Sequence, residues 1–234
     1  MKIQNAFSRN ARAYNQFNVI QQKVAEELIG KISDTPASIL DIGCGRGGMY
    51  RSVSWPLKEF VGIDFAEGML ALHPKAEHIE LFIKDFNDPD CFTAFQNHRF
   101  ERILSASALQ WADDLDSTFS RIAALNTPVS FAIFTSDTFK TLHETASIPP
   151  LLRSAEEIET LSKKYFNAEY ELLRYTLEFP SVREMFRYMK KSGIGGGRNL
   201  LGYKEMKRLM AEYPLDHLEY EILLIHEEKS RAGQ

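Results

Sequence analysis

The amino-acid sequence predicts a doubly wound α/β domain with a parallel β-sheet. Short apolar segments alternate with helical patterns along the chain, an arrangement typical of parallel sheets. A glycine-rich turn follows the first apolar segment, and acidic residues stand at or near the ends of the first three strands. Ligands of such folds bind at the carboxyl ends of the strands, so a binding site is expected there.

The first part of the chain contains an amphipathic helix and five predicted strands. Val19, Val24 and Leu28 recur at helical spacing and predict a helix over residues 16–32. The strands are the apolar runs at residues 39–42, 60–64, 79–83, 102–105 and 128–134. Further helices are predicted near Gly48, over 69–72 and over 115–125, with a loop or short helix at 107–111.

The last third of the chain combines helices with two further strands. The helices are predicted over residues 138–146, 154–165, 182–189 and 203–211. The strands are predicted over residues 170–179 and 218–225, and a glycine-rich turn occupies residues 193–197. No change of composition marks an internal boundary, so residues 1–234 are predicted to form a single domain.

The composition excludes several classes of protein. Of the 234 residues, 44% are hydrophobic and 26% are charged, which suffices for a full core. The formal net charge of -4 argues against a general nucleic-acid binder. Cys44 and Cys91 are too few for a disulfide framework, and the six histidines lack metal-ligand spacing, so no metal is predicted. The chain shows no signal-peptide pattern and no apolar run of membrane length, so we expect a cytoplasmic protein without a membrane partner.

The glycine-rich turn at residues 43–48 is compatible with two kinds of cofactor. Gly43, Gly45 and Gly48 fit the GxGxxG pattern of dinucleotide sites, which is a weak signal on its own. The turn also fits the pattern D-x-G-x-G-x-G, which begins at Asp41. A carboxylate at the end of a strand suits an aminoacyl group better than a pyrophosphate, which favours S-adenosylmethionine over NAD. An NAD-linked oxidoreductase remains the alternative.

Two more acidic residues follow the next strands. A carboxylate at Asp64 can accept hydrogen bonds from both hydroxyls of a ribose, and one at Asp85 can accept from an adenine amino group. Phe65, Met69 and Phe86 offer apolar surface to the adenine ring. Because NAD also contains ribose, Asp64 does not distinguish the two cofactors. Acids at three successive strand ends nevertheless favour a bound nucleoside over a chance arrangement.

Four segments combine into a family signature: DIGCGRG at residues 41–47, GIDFAEGML at 62–70, KDF at 84–86 and SASALQW at 105–111. Together they resemble the motifs of class I S-adenosylmethionine-dependent methyltransferases. The resemblance implies a Rossmann-like, doubly wound, mostly parallel sheet of seven strands in the order 3-2-1-4-5-7-6, with the last strand antiparallel. It also implies S-adenosyl-L-methionine as cofactor and S-adenosyl-L-homocysteine as product. The cofactor-binding residues that it implies are Tyr14, Asp41, Gly43, Cys44, Gly45, Asp64, Phe65, Met69, Asp85, Phe86 and Ser105.

The flanking segments resemble one branch of that family. Phe7, Ala11 and Tyr14, followed by Gln21 or Gln22, are similar to the N-terminal cover of malonyl-carrier-protein O-methyltransferases of biotin synthesis. The ALQW and MKKSGIGGGRNLL segments, which start at residues 108 and 189, are similar to theirs as well.

This second resemblance implies an organisation around the cofactor. Residues 1–33 would form an N-terminal helical cover, and residues 136–211 would include helical insertions on the substrate side. Tyr14 would help to close the pocket, although it could also be an ordinary residue of an amphipathic helix. Trp111 would position the substrate, or it would only wall the pocket and pack against the following helix.

The sequence offers no convincing general base, and its catalytic residues are unknown apart from the positioning roles of Tyr14 and Trp111. A carboxylate acceptor, with a pKa near about 4, is ionised at neutral pH and needs no base. The expected reaction is therefore methyl transfer from S-adenosylmethionine to the free carboxylate of a malonyl thioester on acyl-carrier protein, early in biotin synthesis. The alternatives are a small-molecule carboxyl methyltransferase and a non-catalytic S-adenosylmethionine-binding protein.

A basic segment lies in the last third of the chain. Residues 183–208 contain eight lysines and arginines against two glutamates, a net charge of +6 within an acidic chain. Arg187, Lys190 and Arg198 are predicted to bind the substrate, either by docking an acidic acyl-carrier protein or by pairing with the malonyl carboxylate. A solvated helix face without a partner is the alternative interpretation.

Overall fold

A computed structural model describes residues 19–192 and 202–228, and a seven-stranded sheet forms their centre. The strands are β1 (Ser38–Ile42), β2 (Glu59–Asp64), β3 (Ile79–Ile83), β4 (Arg102–Ala106), β5 (Val129–Phe134), β6 (Glu169–Glu178) and β7 (His217–His226). Their order across the sheet is β3-β2-β1-β4-β5-β7-β6. β7 runs antiparallel to both β5 and β6, and the other neighbours are parallel. This topology confirms the predicted fold class and strand order.

Eight α-helices connect these strands within the described residues. They are α1 (Val19–Gly30), α2 (Gly48–Ser52), α3 (Glu67–Leu70), α4 (Leu115–Ala123), α5 (Lys140–Ala146), α6 (Ala155–Ser162), α7 (Val182–Ser192) and α8 (Tyr203–Glu212). Single turns of 3-10 helix lie at Thr93–Phe95 and Leu109–Trp111. Within residues 19–192 and 202–228, no helix has both the length and the apolar character needed to cross a membrane.

Apolar side chains on both faces of the sheet form two core clusters. On one face, Leu40 and Ile42 of β1 pack with Phe119 of α4. On the other face, Ile39 of β1 packs with Leu28 of α1. Successive side chains of a strand point to opposite faces, so β1 contributes to both clusters and is buried between helical layers.

The predicted elements are all present where the structure describes them, but several of their ends differ. The helix predicted over residues 69–72 is the short α3, in which Met69 and Leu70 are buried, while Leu72 lies beyond it and is exposed. The helix predicted over 154–165 ends at Ser162, and the helix predicted over 182–189 continues to Ser192. The predicted glycine-rich turn at 193–197 lies outside the described residues.

A buried arginine joins four chain segments at the amino ends of the parallel strands. Arg102 is 1% exposed, and its guanidinium donates hydrogen bonds to Ser130 Oγ at 3.0 Å and to the Glu227 carbonyl at 2.8 Å. It also forms an ion pair with Asp34, with Nη2 3.2 Å from Oδ1. The contacts link β4 to β5, to the segment after β7 and to the segment before β1.

We expect Arg102→Ala to lower the free energy of unfolding by about 2–4 kcal/mol, because it leaves polar partners of a buried cation unpaired. Urea unfolding followed by circular dichroism measures this loss. Arg99→Ala is the matched control, since Arg99 is exposed and its removal should change stability by less than about 0.5 kcal/mol. Equal stabilities of the two variants would contradict a structural role for Arg102.

Candidate active site

A cavity of about 610 Å³ opens at the carboxyl ends of β1, β2 and β4, a size within the range of small-molecule sites. Its wall is built by α1, by the loop after β1 with α2, and by the segments after β2, β3 and β4. The lining residues are Gln21, Gln22, Ala25, Glu26, Gly43, Cys44, Gly45, Arg46, Gly48, Met49, Arg51, Ser52, Asp64, Phe65, Met69, Phe86, Ala106, Ser107, Ala108 and Trp111.

The glycine loop after β1 forms the floor of this cavity. The Gly43 and Cys44 amides both donate to the Ile63 carbonyl, at 2.8 and 3.0 Å, which fixes the loop against β2. Gly43 has φ +73°, and a Cβ atom there would lie only 2.2 Å from the Ala108 Cβ. Gly45 has φ +52°, but a Cβ atom there would meet nothing closer than Asp64 Oδ2 at 3.9 Å. Gly43 is therefore required for packing, while Gly45 leaves space for a ligand.

Asp64 at the end of β2 ties two loops together beside the glycines. Its Oδ2 accepts a hydrogen bond from the Gly45 amide at 2.9 Å, and its Oδ1 accepts from the Ala66 amide at 2.8 Å. Burial raises the pKa of Asp64 to about 6, although the two amide hydrogen bonds oppose the shift. Each carboxylate oxygen has a second lone pair. The side chain can therefore accept hydrogen bonds from ligand hydroxyls while holding the loops.

Asp41 lies behind the glycine loop rather than on the cavity wall. The residue is 0% exposed, and neither carboxylate oxygen accepts a hydrogen bond from any residue that the structure describes. Burial, with a smaller contribution from the charge of Asp64, raises the pKa of Asp41 to about 8. A buried carboxyl group without a partner is costly, and a cation placed nearby would offset that cost.

Four other predicted residues line the cavity. Phe65, Met69 and Phe86 present apolar surface to it from the segments after β2 and β3, and Met69 and Phe86 are otherwise buried. Cys44 also lines the cavity, and burial raises the pKa of its thiol well above the usual value. The sulfur is therefore a small, unreactive wall atom.

Two further residues that the sequence predicts to bind the cofactor do not line the cavity. The carboxylate of Asp85 is exposed, and it accepts a hydrogen bond from the Asn87 amide at 2.9 Å. The hydroxyl of Ser105 is buried and donates to the Ile42 carbonyl at 2.8 Å, which joins β4 to β1. In this geometry Ser105 supports the strand ends that carry the site.

Several lining residues were not predicted from the sequence. Arg46 and Arg51 line the cavity, and burial together with the charge of Arg46 lowers the pKa of Arg51. Glu26 of α1 lines the cavity too and accepts a hydrogen bond from Gln22 at 3.1 Å. The position of Arg46 within the glycine motif was a signal for it, whereas nothing in the sequence pattern singles out Glu26 or Arg51.

The proposed positioning and substrate-binding residues lie in different places. Trp111 lines the cavity from the 3-10 turn after β4 and also packs against the first core cluster. Arg187 and Lys190 are exposed on α7 and do not line the cavity, and Arg187 forms an ion pair with Glu184. Tyr14 and Arg198 lie outside the described residues.

Comparison with known proteins shows similarity to methyltransferases. Residues 39–128, which span β1 to the start of the β5 segment, match the family described as "Methyltransferase domain". The malonyl-[acyl-carrier protein] O-methyltransferase of Anoxybacillus flavithermus is 26% identical over 243 residues, covering 90% of this chain and 88% of the relative. The protein of the same name from Acetivibrio thermocellus is 26% identical over 205 residues, covering 82% and 70%.

A solved structure shares the fold at low sequence identity. A chain of the complex between the Haloferax volcanii Trm112 methyltransferase activator and a methyltransferase superposes with a TM-score of 0.59 at 13% identity. The match covers 95% of this chain and 98% of that chain. The domain match, the curated relatives and the strand order bear out the predicted enzyme class, cofactor and fold: an S-adenosylmethionine-dependent methyltransferase with the strand order of the class I fold.

Proposed function

We propose that this enzyme transfers a methyl group from S-adenosylmethionine to the free carboxylate of a malonyl thioester carried by acyl-carrier protein, an early step of biotin synthesis. The observation that carries the proposal is the match to curated malonyl-[acyl-carrier protein] O-methyltransferases over most of the chain. Two features of the cavity support it: the arrangement of its floor and the residue types in its wall.

The floor suits an adenosine with an aminoacyl tail. Asp64 would accept the ribose hydroxyls, and Phe65, Met69 and Phe86 would contact the adenine. The open space above Gly45 would admit the aminoacyl part, with the buried carboxyl group of Asp41 behind it. Asp85 and Ser105 would act from outside the wall, Asp85 at its rim and Ser105 through the strand ends.

The wall suits an acceptor that is already ionised. The cofactor supplies a methyl sulfonium that is activated toward displacement. No histidine, lysine or tyrosine of the described residues lines the cavity, and its two acids are engaged, Glu26 by Gln22 and Asp64 by two loop amides. A carboxylate nucleophile needs no base. The lining residues would contribute alignment of the acceptor and exclusion of water, with Trp111 of the wall as a positioning side chain.

We expect Gly45→Val to abolish measurable binding of S-adenosylhomocysteine, a loss of at least about 100-fold. A branched side chain at φ +52° strains the backbone and fills the approach to the floor. Calorimetric titration measures the loss. Gly30→Ala is the matched control, because Gly30 does not line the cavity, a Cβ there meets nothing within 4 Å, and the variant should bind normally. Retained affinity in the valine variant would contradict the proposed approach.

Radiometric assays with purified substrates test the function itself. We expect methyl transfer to malonyl-acyl-carrier protein, with slower transfer to small malonyl thioesters. Transfer to free tricarboxylic acids in their place would indicate a small-molecule carboxyl methyltransferase. Tight binding of S-adenosylhomocysteine without turnover on any carboxylate would indicate a non-catalytic binding protein.

A further inference from the structure

Helix α8 has one buried side and one unusually apolar exposed side. Leu209 and Tyr213 are 3% and 6% exposed and pack into the second core cluster. Tyr203 is 85% exposed and Met206 is 37% exposed, although both are large side chains. Large exposed apolar groups of this kind mark interaction surfaces when they occur together.

Positive charge lies beside these apolar groups. Lys204 and Lys207 are exposed, and neither forms an ion pair with any described residue. Lys207 follows Tyr203 by one helical turn, which places the two on the same side of α8. The acidic residues of this helix are engaged elsewhere, since Glu205 accepts from the Gly202 amide and Glu212 pairs with Arg208. We call Tyr203, Lys204, Met206 and Lys207 the cationic face.

The cationic face lies on the same side of the sheet as the cavity, beyond the carboxyl ends of the parallel strands. Helix α8 leads into β7, and Ile222 of β7 pairs with Phe134, the last residue of β5. Residues 217–221 therefore extend past the carboxyl end of β5, and α8 packs there against α5 and α7. A macromolecule bound to α8 would therefore lie on the side of the sheet where the cavity opens.

We infer that the cationic face docks an acidic carrier protein whose tethered acyl group enters the cavity, an inference that rests on the proposed function. Carboxylates of the partner would pair with Lys204 and Lys207, and its apolar side chains would pack on Tyr203 and Met206. Aromatic anchors supply much of the affinity of an interface, whereas charges at its rim act mainly on the association rate. The contribution of the lysines should decrease with ionic strength.

Charge reversal separates docking from chemistry. We expect Lys204→Glu with Lys207→Glu to lower kcat/KM on malonyl-acyl-carrier protein by at least about tenfold at low salt, through the association rate. The same variant should keep its kcat/KM on malonyl-N-acetylcysteamine within about twofold of the wild-type value. This small thioester has an uncharged thiol portion and needs no docking. Tyr203→Ala should act in the same direction without changing charge.

The matched control reverses two lysines that belong neither to the cationic face nor to the cavity lining. Lys58 and Lys75 are exposed, precede β2 and β3, and form no ion pair within the described part of the chain. Lys58→Glu with Lys75→Glu makes the same charge change and should leave both substrates unaffected. Equal rates of the α8 variant and this control on the carrier substrate would overturn the docking face and leave the proposed function intact. If the wild-type enzyme turned over neither malonyl thioester, both the proposed function and the docking face would be overturned.

Discussion

Asp41→Asn is expected to stabilise the ligand-free protein and to weaken its binding of S-adenosylmethionine. The carboxyl group of Asp41 is fully buried and accepts no hydrogen bond from any described residue. Burial, then the charge of Asp64, raises its pKa to about 8. An unpaired acid in such a place costs stability, and the fold retains it beside a proposed ligand site.

The gain in stability should depend on pH. The folded pKa of Asp41 lies above its unfolded value of about 4, so the folded protein holds this proton more tightly. The cost of Asp41 is therefore absent below about pH 4, grows as the pH rises to about 8, and then stays constant. We expect the asparagine variant to gain about 2–4 kcal/mol near pH 8 and much less near pH 5, because the amide does not ionise.

Urea unfolding near pH 5 and near pH 8 measures that difference. Asp90→Asn is the control, since Asp90 is exposed and its replacement should be neutral at both values. Equal effects of the two substitutions would contradict the burial cost that we assign to Asp41.

Asp41→Asn should lower the affinity for the cofactor, although it raises the stability of the ligand-free protein. An ammonium group near Asp41 favours the ionised carboxylate, so binding should release a proton near neutral pH. The affinity for S-adenosylhomocysteine should rise by up to about tenfold per unit between about pH 6 and 8 in the wild type. In the asparagine variant this dependence should be lost and the affinity should be lower.

A ligand without the amino acid isolates the effect of Asp41. The pKa of Asp64 is about 6, so Asp64 also titrates in this range, but its proposed contact is with the ribose. 5′-Methylthioadenosine keeps the ribose and lacks the ammonium, and its affinity should show only the smaller Asp64 dependence. Identical pH profiles for the two ligands would exclude an electrostatic effect of Asp41 on the ligand ammonium.

The sequence predicts the same kind of position for three strand-end acids, but the structure shows that their burial and hydrogen bonding differ. Strand β1 is central and covered on both faces, so Asp41 is buried. Asp64 ends β2 beside two free loop amides and becomes their acceptor. Strand β3 is at the edge of the sheet, and Asp85 after it is exposed. Strand positions followed from apolar runs, but burial of these acids depends on strand order, which only the family resemblance supplied.

Residues that act through tertiary contacts were harder to predict. Ser105 belongs to a motif, yet its hydroxyl serves a strand-to-strand hydrogen bond, which no local pattern reveals. Glu26 and Arg51 belong to helices whose positions against the glycine loop depend on packing. The basic segment was predicted from charge alone, and the structure adds that Arg187 is paired, whereas Lys204 and Lys207 lack ion-pair partners among the described residues.

Deleting residues 1–15 is expected to abolish most turnover while leaving the fold intact. The first half of α1 lines the cavity through Gln21, Gln22 and Ala25, so α1 begins beside the cavity. We propose that this segment, with Tyr14, covers the bound cofactor and excludes water. Elements that close a site in this way commonly control turnover.

We expect the truncated protein to lose at least about tenfold in kcat/KM and to bind S-adenosylhomocysteine more weakly. Its free energy of unfolding should change by less than about 1 kcal/mol, because the buried anchors of α1, Ile20, Val24 and Leu28, all remain. Tyr14→Ala should reproduce part of the kinetic loss, and Tyr14→Phe should show whether the hydroxyl or the ring is responsible. Full activity of a stable truncated protein would show that residues 1–15 have no part in closing the site.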